Sequence, residues 1–139
     1  MNVWLCPIKA RGWRVVKKTK VFGASSHARK LMAQLSLNDL LIFHILKPVN
    51  GIVAIGRVVS DLYIDNSDLW GKDRYPIRVK IELIPDYLRS NENAIPLDVL
   101  FGSNPEDEFS VSPFLKNTWV APVSQKQFEN IKRVFKSTG

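Results

Sequence analysis

Residues Leu40 to Val59 read LLIFHILKPVNGIVAIGRVV. Two apolar runs rich in β-branched residues, Leu40–Val49 and Ile52–Val59, flank Asn50-Gly51, the pair best suited to the positive backbone angles of a type I′ turn. The stretch predicts a β-hairpin with its turn at Asn50-Gly51. Further along, Ile77 to Ile84 alternates apolar Val79, Ile81 and Leu83 with charged Arg78, Lys80 and Glu82. That pattern predicts a third strand with one solvated face, joined to the hairpin in one curved sheet.

Toward the amino terminus, Val3 to Ile8 reads as a short apolar strand, and Pro7 within it suits an edge or a bulge better than a central position. Gly12 to Lys18 has Trp13 and Val16 at spacing three, which predicts a short helical turn. Ser25 or Ser26 is placed to cap a helix through Leu35, with Leu31, Met32 and Leu35 as its apolar stripe and Asn38-Asp39 as the turn that ends it. Pro85 to Pro113 is rich in Asn, Asp, Ser and Pro, so loop with one brief helix is expected there. Ser124 and Gln127 form a capping box ahead of Phe128, Ile131 and Phe135, spaced for one face of a terminal helix across the sheet. The expected class is α+β, a small, strongly curved sheet with short peripheral helices.

With 139 residues the chain is expected to form a single domain, residues 1–139. No stretch approaches the roughly 18 consecutive apolar residues that cross a bilayer, and charges at Lys9, Arg11 and Arg14 come too early for a signal peptide. A cytoplasmic protein without membrane partners is expected. One cysteine, Cys6, and two histidines offer neither a disulfide nor a zinc ligand set, so no metal and no cofactor is expected. Gly-rich phosphate loops, Gly-x-Ser-x-Gly, His-Glu-x-x-His and the zinc-deaminase signature are all missing from the sequence, and no catalytic residue is assigned. The expectation is a protein that is not an enzyme.

Charge is distributed unevenly. Residues 1–38 carry eight basic side chains (Lys9, Arg11, Arg14, Lys17, Lys18, Lys20, Arg29 and Lys30) and no acidic one, whereas Asp86 to Phe109 carries six carboxylates against Arg89 alone. A concentrated cationic field attracts polyanions, and each neutralised phosphate adds a salt-dependent increment of affinity. Nucleic acid is the expected partner, with Lys9, Arg11, Arg14, Lys17, Lys20, Arg29 and Lys30 on its backbone.

Particular motifs narrow the choice among barrel-like folds. The opening WLCPIKARGWRVVKKTKVFGA (Trp4–Ala24) has a Trp-led strand, a second Trp nine residues later and a Val-aromatic-Gly turn before a basic helix. Leu37-Asn38-Asp39-Leu40-Leu41-Ile42-Phe43 forms a helix-to-strand junction, GIVAIGRVVSDLYIDNSDLW (Gly51–Trp70) runs through a Ser-acid pair to Tyr-x-Asp, and Tyr75-Pro76-Ile77-Arg78-Val79 follows. Over residues 3–85 these motifs resemble the EVE domains, and more distantly the YTH domains, of the PUA-like superfamily. The resemblance implies a PUA-like barrel of five to six strands with an aromatic pocket for a methylated or otherwise modified base.

By position, it implies that Phe22 replaces the family's turn Trp, that Gly23 and Ala24 offer backbone contacts, and that Trp70 supplies a second ring. It also implies that Asp65 bonds an exocyclic amine and that Ile8 points toward the pocket. Modified cytosine in DNA is favoured over methylated adenine or RNA. Such modules also occur fused to nucleases or nucleotide-driven motors of modification-dependent restriction, which are further expected partners. The alternative is an enzyme or small-molecule binder using the same cavity, as in the related ASCH domains.

Each of these assignments competes with a plainer one. Trp4, Trp13 and Trp119 read as packing aromatics and His44 as a residue of the core or strand face. Phe22 reads equally as core or pocket. Trp70 follows polar Asn66, Ser67 and Asp68, where an exposed ring serves binding. Asp65 reads more readily as a turn cap, and His27 as a phosphate or solvent contact.

Overall fold

The computed structural model describes residues 1–71, 73–101 and 119–137. Its strands are β1 (Val3–Ile8), β2 (Val21–Ala24), β3 (Leu40–Ile45), β4 (Gly51–Val58), β5 (Tyr63–Ile64), β6 (Ile77–Leu88), β7 (Ile95–Pro96) and β8 (Ala121–Val123). The α-helices are α1 (Ala10–Thr19), α2 (Arg29–Met32) and α3 (Gln125–Ser137). Six strands follow one hydrogen-bonded path, β2-β6-β4-β3-β1-β8, while two-residue β5 and β7 attach to β6 and β4. Among the described residues only the β1–β3 pair is parallel, so the sheet is mixed and curls into a half-barrel. This is the curved α+β architecture that the motifs implied.

Pro7 shows how the order of strands follows from the residues. Strand β1 is internal, not an edge, yet β8 pairs only with Val3, Trp4 and Leu5. Among the described residues that side of β1 has no ladder partner beyond Leu5, and a residue without an N–H is tolerated there. A similar device extends β6, which was expected to stop at Ile84. It continues through Pro85 to Leu88 because the register slips between Ala54↔Leu88 and Gly56↔Leu83, leaving Pro85 on a bulge outside the ladder. The remainder of the expected loop holds 3-10 turns at Asn91–Asn93 and Leu97–Phe101 around β7, and its residues 102–113 lie outside the described residues.

Two further expectations are corrected. The β3–β4 connection is the five residues 46–50, not a two-residue type I′ turn; Asn50 alone takes a positive φ, 53°, and Gly51 already pairs with Ile45. Gly51 is required by crowding, because a Cβ there would lie 2.5 Å from the Ala94 Cβ. The helix expected from Ser25 or Ser26 to Leu35 is a 3-10 turn, Ser26–Ala28, followed by the single turn of α2; Ser25 stands at the N-cap of the first but makes no side-chain capping hydrogen bond. The chain bends away because buried Asp39 accepts hydrogen bonds from the Ser36 N–H (2.9 Å), the Asn2 N–H (2.9 Å) and the Trp4 indole (3.0 Å). A desolvated carboxylate requires such donors, and collecting them pulls residues 33–39 back against β1.

The half-barrel separates two apolar clusters. On one side α3 lays Phe128, Ile131 and Phe135 over Val3, Leu5, Leu40, Ile42, Ile52 and Ile55. Its capping box forms as expected: Gln127 N–H donates to Ser124 Oγ (3.1 Å) and Ser124 N–H to Gln127 Oε1 (2.9 Å). On the other side, Trp13 and Val16 of α1 pack with Phe22, Phe43, Val53, Val58 and Val79. Among the described residues no helix is long and apolar enough to cross a membrane.

Candidate nucleic-acid interface

Between the first turn of α1, strand β2 and the loop entering β6 lies a cavity of about 530 Å³. The β1–α1 junction contributes Pro7, Ile8 and Lys9, and α1 adds Arg11, Gly12, Val15 and Val16. Phe22 and Gly23 come from β2, and Leu69, Trp70, Gly71, Asp73 and Tyr75 from the loop; Leu46 and Trp119 complete the lining. Pockets of a few hundred Å³ with apolar walls and few polar groups are the usual form of small-ligand sites.

Three rings form a continuous wall. Trp70 meets Tyr75 edge-on (5.4 Å between centroids, 63°), and Tyr75 meets Trp119 in the same manner (4.9 Å, 71°). Gly23 allows this wall to come close: a Cβ there would lie 2.7 Å from the Trp70 ring and 3.1 Å from the Tyr75 carbonyl. Here the glycine serves close approach rather than backbone freedom.

Arg78 holds the loop in place. The alternation of β6 put it on a solvated face with Lys80 and Glu82, but Arg78 is 3% exposed while the other two are open to water. The residue 65–75 loop covers it and gives its guanidinium partners. Nε donates to the Tyr75 carbonyl (2.9 Å), Nη1 to Ser67 Oγ (2.8 Å) and Nη2 to the Ser67 carbonyl. Its Cζ stands 5.1 Å from the Trp70 ring centroid, a cation–π contact. The planar fork of arginine therefore ties one strand to both ends of the loop and to its ring.

The residues anticipated for the pocket divide. Ile8, Phe22, Gly23 and Trp70 all line the cavity. Phe22, only 1% exposed and edge-on to Phe43 at 5.8 Å, belongs to the core and serves as a floor. Trp70 is not the open ring expected of a polar loop: it is 9% exposed, packed on Gly23 and Arg78. Ala24 is fully buried and does not line the cavity. Asp65 lies outside it, on a separate hollow of about 260 Å³ with Asn66, Ser67 and Arg74. There it accepts the Ser67 N–H (2.8 Å) and pairs with Arg78 at 3.6 Å, and the Ser67 hydrogen bonds hold its pKa below the ordinary carboxylate value. That is the turn-capping role.

Three lining residues, Asp73, Tyr75 and Trp119, escaped sequence reasoning as pocket groups. Tyr75 stood inside a strand motif and Trp119 among packing residues, and nothing local says that rings 44 positions apart will touch. Burial, then the charge and hydrogen bond of Asp73, raises the Tyr75 pKa, so the phenol stays protonated at neutral pH.

At the mouth, Arg11 Nη2 stands 3.5 Å from Asp73 Oδ2, with side chains 63% and 30% exposed. An exposed pair at that distance contributes little and is readily exchanged for another partner. Lys9 lies beside it, and the first turn of α1 has neither an acidic residue nor a side-chain cap, so its positive end adds to the cationic rim. Arg14, Lys17, Lys20, Arg29 and Lys30 are exposed outside the cavity, with Lys20 also closing α1 in a left-handed conformation (φ 60°).

Comparison with known proteins fits this geometry. The family profile described as "EVE domain" matches residues 2–134. The chain belongs to the EVE domain family. This EVE domain is 33% identical over 97 residues to a UPF0310 protein of Pyrococcus abyssi, a match covering 60% of this chain and 67% of that protein. Its fold superimposes on Rpa0253 from Rhodopseudomonas palustris with a TM-score of 0.69 at 17% identity, covering 100% and 96% of the two chains. It also superimposes on the YTH domain of the Zygosaccharomyces rouxii MRB1 protein, solved in complex with N6-methyladenosine RNA (TM-score 0.66, 14% identity, coverage 96% and 86%). Human THYN1, solved in complex with DNA containing 5-methylcytosine, gives 0.61 at 14% identity with 98% of each chain covered. The fold is PUA-like.

Proposed function

We propose that this EVE domain is a non-catalytic reader of modified nucleic acid. One modified base, with modified cytosine in DNA favoured, enters the cavity, and the basic side chains of α1 together with Arg29 and Lys30 contact the phosphate backbone. The reading is carried by the wall of Trp70, Tyr75 and Trp119 around a cavity rimmed by Lys9 and Arg11. Family membership and the complexes of THYN1 and the MRB1 YTH domain support it.

Magnitudes explain why several rings are needed. Extracting a base costs a few kcal/mol. Stacking on one aromatic side chain returns roughly 1–3 kcal/mol, so a single ring barely offsets extraction. Burial of one added methyl contributes about 0.8 kcal/mol, close to fourfold in affinity. Modification is thus expected to shift a near-balanced equilibrium rather than to create binding from nothing.

Competition binding tests this at fixed salt, using duplex and single strands that carry one 5-methylcytosine, 5-hydroxymethylcytosine or cytosine. At least about fourfold tighter binding of a modified strand is expected. Equal affinity for all strands, falling together with salt, would leave only a polyanion binder.

A further inference from the structure

Within the cavity the groups that can read a base edge are few. Of the described lining residues, Asp73 alone is acidic, and it faces Arg11 across the mouth at 3.5 Å. Its backbone is tied to that of Trp70, since the Asp73 N–H donates to the Trp70 carbonyl (3.4 Å) in a β-bridge. A carboxylate accepts about four hydrogen bonds and donates none. The long contact with Arg11 and the Tyr75 side chain take up part of that capacity, and the rest is open to a ligand. Asp65, the carboxylate that position in the family suggested, is spent on Ser67 and Arg78 in a different hollow.

We propose that Asp73 selects the captured base, accepting from an exocyclic amine while Arg11 donates to the adjacent ring nitrogen. This rests on the reader function above. The ligand class it names is a base with an amine beside a ring acceptor, as in cytosine and adenine. With the sugar leaving through the mouth and so orienting the ring, thymine presents a carbonyl where cytosine presents its amine. The carboxylate then meets lone pairs and loses its donor, and sites built to bond an N–H reject analogues that lack it far more strongly than they reject a missing methyl. The aromatic wall reads the methyl group and Asp73 reads the amine, so the two preferences are separable.

Thymine is 5-methyluracil and differs from 5-methylcytosine only on that edge, which makes the separation measurable. Affinities would be determined for strands carrying 5-methylcytosine, cytosine or thymine at one unpaired position, for the wild type and for Asp73→Asn. The wild type is expected to prefer 5-methylcytosine over thymine by about tenfold or more. Asp73→Asn, whose amide can turn to offer a donor, should reduce that ratio to near unity while keeping the preference for 5-methylcytosine over cytosine. An unchanged ratio in the variant, or a wild type that binds thymine as well as 5-methylcytosine but still prefers methyl over no methyl, overturns the role of Asp73 and leaves the reader intact. Equal binding of methylated and plain cytosine overturns both. Should Asp73→Asn not fold, as judged by circular dichroism, the wild-type thymine comparison decides alone.

Discussion

The two sides of the half-barrel use aromatic residues in opposite ways. Beneath α3, Phe128 and Phe135 fill the space between helix and sheet, with Tyr87 edge-on to Phe135 at 5.5 Å, and the cluster closes. Beside α1, Trp70, Tyr75 and Trp119 pack against one another in a line and leave about 530 Å³ in front of them. Rings placed between two regular elements become core; rings brought together from loops and segment ends become a wall. Loss of a ring should therefore act on folding on the first side and on recognition on the second.

The largest effects are expected in the closed regions. Phe135→Ala, and Phe22→Ala at the cavity floor, should each cost about 3–5 kcal/mol of stability by denaturant titration, since both leave voids in packed cores. A loss below about 1 kcal/mol for Phe22→Ala would move that residue from the core to the wall. Arg78→Lys keeps the charge and removes the fork. It should cost about 1–3 kcal/mol and lower the preference for a modified strand, because the loop bearing Trp70 loses its tie. Unchanged preference in that variant would show that the wall holds itself.

On the open side, Trp119→Ala or Trp70→Ala should remove about 1–3 kcal/mol of stacking from a captured base. The preference for the modified strand should then fall toward unity, while the salt-dependent binding common to all strands remains. Neutralising Lys17, Lys20, Arg29 and Lys30 together should instead weaken all strands alike and flatten the salt dependence of affinity, leaving the preference intact.

The smallest expected effect tests the β-sheet itself. His44 is buried, and neither ring nitrogen has a hydrogen-bond partner among the described residues. Burial lowers its pKa, opposed by the Asn50 side chain, which favours the proton without reaching hydrogen-bonding geometry. The unfolded chain therefore binds this proton more readily than the folded one. Its contribution is nil above the ordinary imidazole pKa of about 6.5, and stability falls as pH drops below that value until the folded group also titrates. Urea midpoints at pH 7.5 and 5 should separate for the wild type more than for His44→Leu; equal separation would remove His44 from the account.

What the sequence made legible follows the same division. The apolar runs of β3 and β4 and the Ser124–Gln127 box are local signals, and both stand where periodicity and capping chemistry put them. Asn50 takes the positive φ that its type favours, while Gly51 answers to the Ala94 side chain, a contact the dipeptide cannot announce. Arg78 defied the alternation of β6 because a loop eleven residues upstream covers it and meets its charge with carbonyls and a hydroxyl. Motif resemblance reached Trp70, Phe22 and Gly23. It could not reach the pairing of Tyr75 with Trp119, which depends on where the chain returns to the sheet at β8.

A crystal structure of the protein bound to an oligonucleotide bearing one 5-methylcytosine would show whether the base leaves its strand. The base is expected to be extracted into the cavity, in van der Waals contact at about 3.5–4 Å with the wall of Trp70, Tyr75 and Trp119. A complex in which the modified base remains stacked in its strand, with the cavity unfilled and contacts confined to the basic surface, would contradict it.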